Sequence, residues 1–172
     1  MARAYIAIGS NIAPETNIPK ALEALSERCR IEGISRFYRS RPLNRPEQAD
    51  FINGACVIET GLSARELKYR ILREIEKSLD RVRTSDRYAA RTIDIDIALY
   101  ENEVIYEEDL VIPDPDIVER PFLYLPLLDL DADLRVPGME MALREVVDVE
   151  RNEGVIVDMT FTDALQECWV KK

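Results

Sequence analysis

Histidine is absent from all 172 residues. That gap removes Ser-His and Cys-His nucleophilic machinery and the commonest transition-metal ligand. Any metal bound here must be held by oxygen, which favours magnesium, manganese or calcium over zinc or copper. Cysteine is scarce too: Cys29, Cys56 and Cys168 are widely spaced, odd in number and form no C-x-x-C, so neither a zinc site nor a disulfide framework is expected. They read as reduced, mostly buried thiols. With six glycines and no G-x-x-x-x-G-K-[ST], the chain lacks a P-loop, and phosphate has to be gripped by side chains. No apolar run approaches the ~18 residues of a membrane span, and the opening MARAYIAIGS turns polar at Ser10 and Asn11 before a secretory pattern develops. A cytoplasmic protein with no membrane contact is expected. Basic residues are outnumbered, 23 against 33 acidic, for a net charge of −10, which disfavours a nucleic-acid surface while leaving room for a local basic site.

What is present suits one globular domain over residues 1–172, 47% hydrophobic and 33% charged, without repeats or linkers. A monomer is expected. Residues 3–9 read as a first strand ended by Gly9, Ser10 and Asn11. A helix should follow, with Thr16 or Asn17 as N-cap, Pro19 in the first turn and Ala21, Leu22 and Leu25 as its apolar stripe. Residues 31–40 read as a second strand, and RPLNRPEQAD as a polar loop able to cover a site. FINGACVIET is a third strand with Phe51, Asn53, Ala55 and Val57 on one face. Ser63 and Glu66 match a capping box ahead of a helix carrying Leu67, Ile71, Ile75 and Leu79. Further on, a turn at Glu101 and Asn102, a short strand near EVIY, a Pro-punctuated loop at VIPDPDIVERPF and a core helix or turn at FLYLPLLDL are expected. A short helix over 141–149, a late strand GVIVDMTF and a terminal turn or helix complete the pattern. Adjacent strand pairs mixed with helices point to an α+β sandwich on a mixed or antiparallel sheet.

RTIDIDIALY, residues 91–100, carries the chemistry. Strand alternation puts Ile93, Ile95, Ile97 and Leu99 on one face and Asp94, Asp96, Ala98 and Tyr100 on the other. The two carboxylates start about 6–7 Å apart, close enough to repel unless a cation sits between them. A lone D-x-D is as compatible with a wet strand face as with a metal site. Just upstream, Arg81, Arg83, Arg87 and Arg91 concentrate positive charge, and Arg120 offers more from a later loop. Arginine forks suit phosphate oxygens, and magnesium prefers one or two carboxylates plus substrate phosphates. The pairing suggests metal-assisted phosphoryl transfer, against a plain solvated cationic loop. Strict alternation sends Arg91 away from the aspartates, so either the strand begins after it or a bulge intervenes.

The motifs YIAIGSN, FYRSRPL, DFINGA, IEKSLDRVR, RTIDIDIALY and IPDPDIVERPF occur in the order and spacing of the 6-hydroxymethyl-7,8-dihydropterin pyrophosphokinases, and the chain resembles that family over roughly residues 3–130. The resemblance implies a ferredoxin-like α+β fold and transfer of the β,γ-pyrophosphoryl group of ATP to the pterin hydroxymethyl group. It implies that Asp94 and Asp96 bind two magnesium ions, that Arg81, Arg83, Arg91 and Arg120 serve the nucleotide, and that Glu76 lies on the nucleotide side. It further implies a pterin sandwiched by Phe51 and Phe122, bonded at its edge by Asn53 and walled by Pro42 and Leu43. By residue type alone, Phe51 and Phe122 read as ordinary core.

Three positions depart from the family pattern. YAAR stands where W-G-P-R is common, so Tyr88 replaces a tryptophan and Ala90 a stiffening proline. Asp114 falls at an ATP-side position where a histidine is common, and an ionised carboxylate cannot donate to phosphate. Asp80 occupies a helix-ending glycine position, which requires Asp to take the left-handed conformation. These changes leave open a relative that binds pterin or nucleotide without turnover. A sugar-nucleotide transferase using D-x-D is harder to fit into a chain of this size.

Overall fold

β1 (Ala2–Ser10) lies inside the main sheet and is mostly buried, as its alanines, isoleucines and glycine allow. It pairs antiparallel with β4 (Phe51–Thr60), from Ala2 opposite Thr60 to Ser10 opposite Ile52. On its other side it pairs antiparallel with β5 (Asp94–Tyr100), from Ala4 opposite Tyr100 to Gly9 opposite Asp94. The far edge of β4 is shared by β2 (Arg30–Ile34) and β3 (Tyr38–Ser40), and β3 carries β8 (Ile156–Val157). β6 (Ile105–Glu107) and β7 (Leu110–Ile112) form a separate ribbon. The computed structural model describes residues 1–86, 88–150 and 154–170, so Arg87 lies outside the described residues.

The sheet feeds two cores. On one face Ile6, Ile52, Cys56 and Ile95 pack with Ile18, Leu22 and Leu25 of α1 (Pro14–Ser26) and with the helical stretch over residues 64–78. On the other, Ala55, Val57 and Leu99 pack with Leu123, Tyr124 and Leu127 of α4 (Pro121–Leu130). Each fully buried Leu or Ile contributes about 1.5–3 kcal/mol, so neither face is expendable. The α+β, mostly antiparallel architecture is the one expected.

Several local expectations are corrected. α1 is not capped by Thr16 or Asn17: Pro14 holds its first turn, Ala13 precedes it at φ 46°, and Pro19 sits inside the helix. The expected strand over 31–40 is two strands, separated at residues 35–37. The helix starting at Ser63 has its capping box, yet it changes pitch, running as α2 (Ala64–Glu66), a π-helical segment (Leu67–Leu72) and α3 (Arg73–Ser78). The wider turn buries Leu72 fully and leaves Ile71 half-exposed. GVIVDMTF yields only the two residues of β8, because Asp158 accepts a hydrogen bond from the Phe161 amide and opens α6 (Met159–Val170). Beyond α4 the short α5 (Leu143–Val146) falls inside the expected stretch.

β5 begins at Asp94, so Arg91 belongs to the preceding loop and is free of the strand's alternation. Alternation also fails at the other end. Ile6 opposes Ile97 while Tyr5 opposes Leu99, which leaves Ala98 as an extra residue. Leu99 consequently joins the α4-side core and Tyr100 the α1-side core, the reverse of the expected faces.

Candidate active site

The floor of the site is built from register. Asp94, Gly9 and Asn53 lie in one row across β5, β1 and β4, and Asp96, Ala7 and Ala55 in the next. Small residues thus separate the carboxylates from the amide and leave a trough. Glycine is required at position 9: a Cβ there would lie 2.8 Å from Asn53 Oδ1. Asn53 is further fixed by donating from Nδ2 to Ser40 Oγ at 2.8 Å.

Above this floor opens a cleft of about 260 Å³. Phe51, Phe122, Asn53, Pro42 and Leu43 line one end; Asp94, Asp96, Asp114, Arg91 and Arg120 line the other. A second recess of about 330 Å³, bordered by Arg81, Arg83 and Asp86, shares Arg91, Asp94 and Asp96 with the first. The two spaces therefore meet at the β5 carboxylates. An apolar slot with one amide suits a flat heterocycle, and the adjoining recess rimmed by arginines suits a polyanion.

Arg91 joins the two ends. Its guanidinium pairs with Asp94 and stands 5.8 Å from the centroid of the Phe51 ring. Its backbone is clipped to Asn11, whose Oδ1 accepts from Arg91 N at 2.8 Å and whose own N–H donates to Arg91 O at 3.2 Å. Asn11 also donates to Gln48 Oε1 and Ala49 O, while Gln48 donates to Tyr88 O at 3.0 Å and Arg45 pairs with Asp86 at 2.8 Å. The two loops flanking the cleft, residues 41–50 and 81–91, are thereby tied together.

Arg81 is delivered by a helix ending. Asp80 takes φ 58°, its N–H donates to Lys77 O at 3.2 Å, and Arg81 N donates to Glu76 O at 3.0 Å, a Schellman stop. The Arg81 side chain is 9% exposed, with Nη2 3.6 Å from Asp94 Oδ1. Burial pulls its pKa below the ordinary value, although arginine remains charged. The Nε atoms of Arg81 and Arg120 are both buried without a hydrogen-bond partner among the described residues, donors able to take an acceptor.

Glu76 is the predicted site residue that lines neither the cleft nor the second recess. It is 1% exposed and borders neither recess, accepting instead from Ile95 N at 3.1 Å and from Arg73 at 3.0 Å, and pairing with Arg83. It braces β5 and an arginine from behind. Burial pushes its carboxyl up to about 7. Asp114 sits on the cleft wall, its N–H donating to Ala98 O at 2.9 Å and its Oδ1 accepting from Asp116 N at 2.8 Å. Burial raises its pKa, with the nearby charges of Asp96 and Asp116 adding to the rise and Lys68 opposing it. Lys68 itself is buried, with Nζ 3.3 Å from Asp96 Oδ1.

Asp94 and Asp96 remain 37% and 50% exposed toward the cleft. Two carboxylates without a third ligand residue fit magnesium, which completes its shell with phosphates and water. Among the described residues no group of three or more His, Cys, Asp or Glu forms a closed metal cage.

The model of the 7,8-dihydro-6-hydroxymethylpterin-pyrophosphokinase family matches residues 5–132. The chain belongs to that family. A pyrophosphokinase named for 2-amino-4-hydroxy-6-hydroxymethyldihydropteridine in Haemophilus influenzae is 40% identical over 144 residues, covering 82% of this chain and 89% of that one. Its Aquifex aeolicus counterpart is 35% identical, covering 84% and 90%. The folic acid synthesis protein fol1 of Schizosaccharomyces pombe is 36% identical over 92% of this chain, which spans only 22% of that longer protein. Among solved structures, wild-type HPPK-DHPS of Plasmodium falciparum superposes with a TM-score of 0.67 at 13% identity, covering 84% of this chain and 44% of that one, a likeness of fold. The pyrophosphokinase match contains every cleft wall named above and stops before α5, β8 and α6.

Sequence reasoning missed Asn11, Gln48, Arg45 and Lys68. Asn11 closes the YIAIGSN motif, a usable signal. Lys68 reads as an ordinary polar helix residue and gives none.

Proposed function

We propose that this pyrophosphokinase-family chain transfers the β,γ-pyrophosphoryl group of ATP to the hydroxymethyl group of 6-hydroxymethyl-7,8-dihydropterin and releases AMP, a step of folate synthesis. The carrying observation is the junction of an aromatic slot and an arginine-rimmed recess at one carboxylate pair. The hydroxymethyl oxygen bonds to the β-phosphorus as the bond from that phosphorus to the bridging oxygen of AMP breaks, and the hydroxyl proton is lost.

Phe51 and Phe122 hold the pterin between their rings, Asn53 bonds its edge, and Pro42 and Leu43 close the wall. That places the hydroxymethyl group toward Asp94 and Asp96. Arg81, Arg83, Arg91 and Arg120 grip the triphosphate, and the two orphaned Nε donors gain acceptors. Asp94 and Asp96 would hold two magnesium ions, and these would supply neutralisation of phosphate charge and a lowered proton affinity at the attacking hydroxyl. Orientation and electrostatics carry such a reaction, so the absence of histidine is no obstacle. Asp114 lines the same wall without offering a donor to the nucleotide while ionised. In this reading residues 1–172 are one catalytic domain acting as a cytoplasmic monomer. Among the described residues no helix is long and apolar enough to cross a membrane.

The test is product analysis with ATP, magnesium and hydroxymethyl-dihydropterin. AMP and pyrophosphorylated pterin in equal amounts are expected. Folded protein that binds both ligands yet yields no AMP would sink the proposal.

A further inference from the structure

We propose that Lys68 is a positioning residue for this site: its buried ammonium holds Asp96 at one carboxylate oxygen and so fixes how that carboxylate faces the cleft. The inference rests on the reading of Asp94 and Asp96 as the metal-holding pair.

Lysine is seldom buried, because removing an ammonium from water is costly unless a partner compensates it. Lys68 is 8% exposed, and its partner is Asp96. Oδ1 of Asp96 receives both Lys68 Nζ at 3.3 Å and its neighbour's amide, Ile97 N, at 3.0 Å. Oδ2 accepts no hydrogen bond among the described residues. The carboxylate is therefore anchored by one oxygen and presents the other to the cleft that it lines.

Most other cations of the two recesses have carboxylate partners of their own, while Arg41 on the cleft wall has no ion pair among the described residues. Arg81 and Arg91 pair with Asp94, and Arg120 with Asp116. The π-helical segment Leu67–Leu72 supplies the means, since its widened turn brings both Lys68 and Leu72 inward. π turns are rare and recur where a helix serves a site. β5 is an end strand of the sheet, and Lys68 reaches Asp96 there from the neighbouring helix.

A fixed cation behind the carboxylates opposes a metal ion and favours phosphate. Lys68→Met keeps the length of the side chain and removes the charge. In calorimetry without nucleotide it should tighten Mn2+ binding about threefold, while MgATP binding weakens about tenfold. Turnover should fall with the KM for pterin within about twofold of the parent. Lys68→Arg should restore most of the MgATP affinity, a recovery that mere packing would not give. Should Lys68→Met fail to fold, Lys68→Gln serves the same measurements. Mn2+ and MgATP affinities both unchanged in the folded variant overturn the proposal, as does a MgATP loss that Lys68→Arg fails to recover. Because the Mn2+ arm needs no turnover, a parent protein that makes no AMP would strike the reaction while leaving Lys68 testable.

Discussion

At the scale of single residues the site depends on carboxylates doing different work. Asp96 is anchored by Lys68 and left open on one oxygen, so Asp96→Asn should cost about 10³-fold in turnover, the size of losing a main electrostatic group. Pterin binding should change little, since in the proposed pose Asn53, Phe51 and Phe122, which line the cleft, hold the pterin. Single-turnover rates and pterin calorimetry on one preparation separate the two effects. Glu76 makes a different prediction. Its carboxyl is raised from 4.5 to about 7 in the folded chain, chiefly by burial. Across that window the folded protein keeps a proton that the unfolded chain has released, so this group's contribution is greatest below the window and is lost as pH rises through it. Denaturation of the parent and of Glu76→Gln at several pH values should show the parent's stability falling relative to the variant between those limits. A constant difference would contradict it. The paired aspartates were legible because strand alternation forces them onto one face. Lys68 was not, because nothing in a run of LKYRIL announces a π turn.

At the scale of elements, small departures from regular geometry aim the side chains. The Schellman stop at Asp80 sets Arg81 against Asp94, and it does so with a residue that tolerates φ 58° less well than glycine. Asp80→Gly should therefore stabilise the protein by about 0.5–1 kcal/mol with activity retained. The midpoint of urea unfolding measures it. The bulge at Ala98 frees a carbonyl that receives Asp114 N, docking the 113–120 turn on the cleft wall. Sequence periodicity shows strands but not the residue at which pairing slips. Chain ends were the least legible: β-branched residues at 155–157 promised a long strand, yet Asp158 turned the chain into α6. That helix is not idle. Thr162 Oγ1 accepts from Phe37 N at 2.9 Å and Asp158 N donates to Phe37 O at 2.8 Å, beside the strand that carries Ser40. Thr162→Val leaves the buried Phe37 amide unpaired and should cost about 1–3 kcal/mol, seen as a lower melting temperature.

At the scale of the whole molecule, two cores on opposite faces of one sheet hold the strand rows rigid, and the site is laid across those rows. Alternation in FINGACVIET, in the first strand and in RTIDIDIALY was enough to anticipate this frame. The ties between loops 41–50 and 81–91 were not visible, because a polar loop residue has no periodicity from which its partner can be inferred. The electrostatic setting opposes near and far fields: a net charge of −10 surrounds a site whose arginines are largely paired with aspartates. The long-range field therefore repels MgATP, while attraction arises only at contact distance. Raising ionic strength from 0.01 to 0.15 M shortens the Debye length from about 30 to about 8 Å, which screens the distant repulsion far more than the contacts. The association rate of MgATP should rise across that range, and the dissociation rate should change less. Stopped-flow traces at several salt concentrations give both rates. A falling association rate would mean that local arginine steering outweighs the acidic surface.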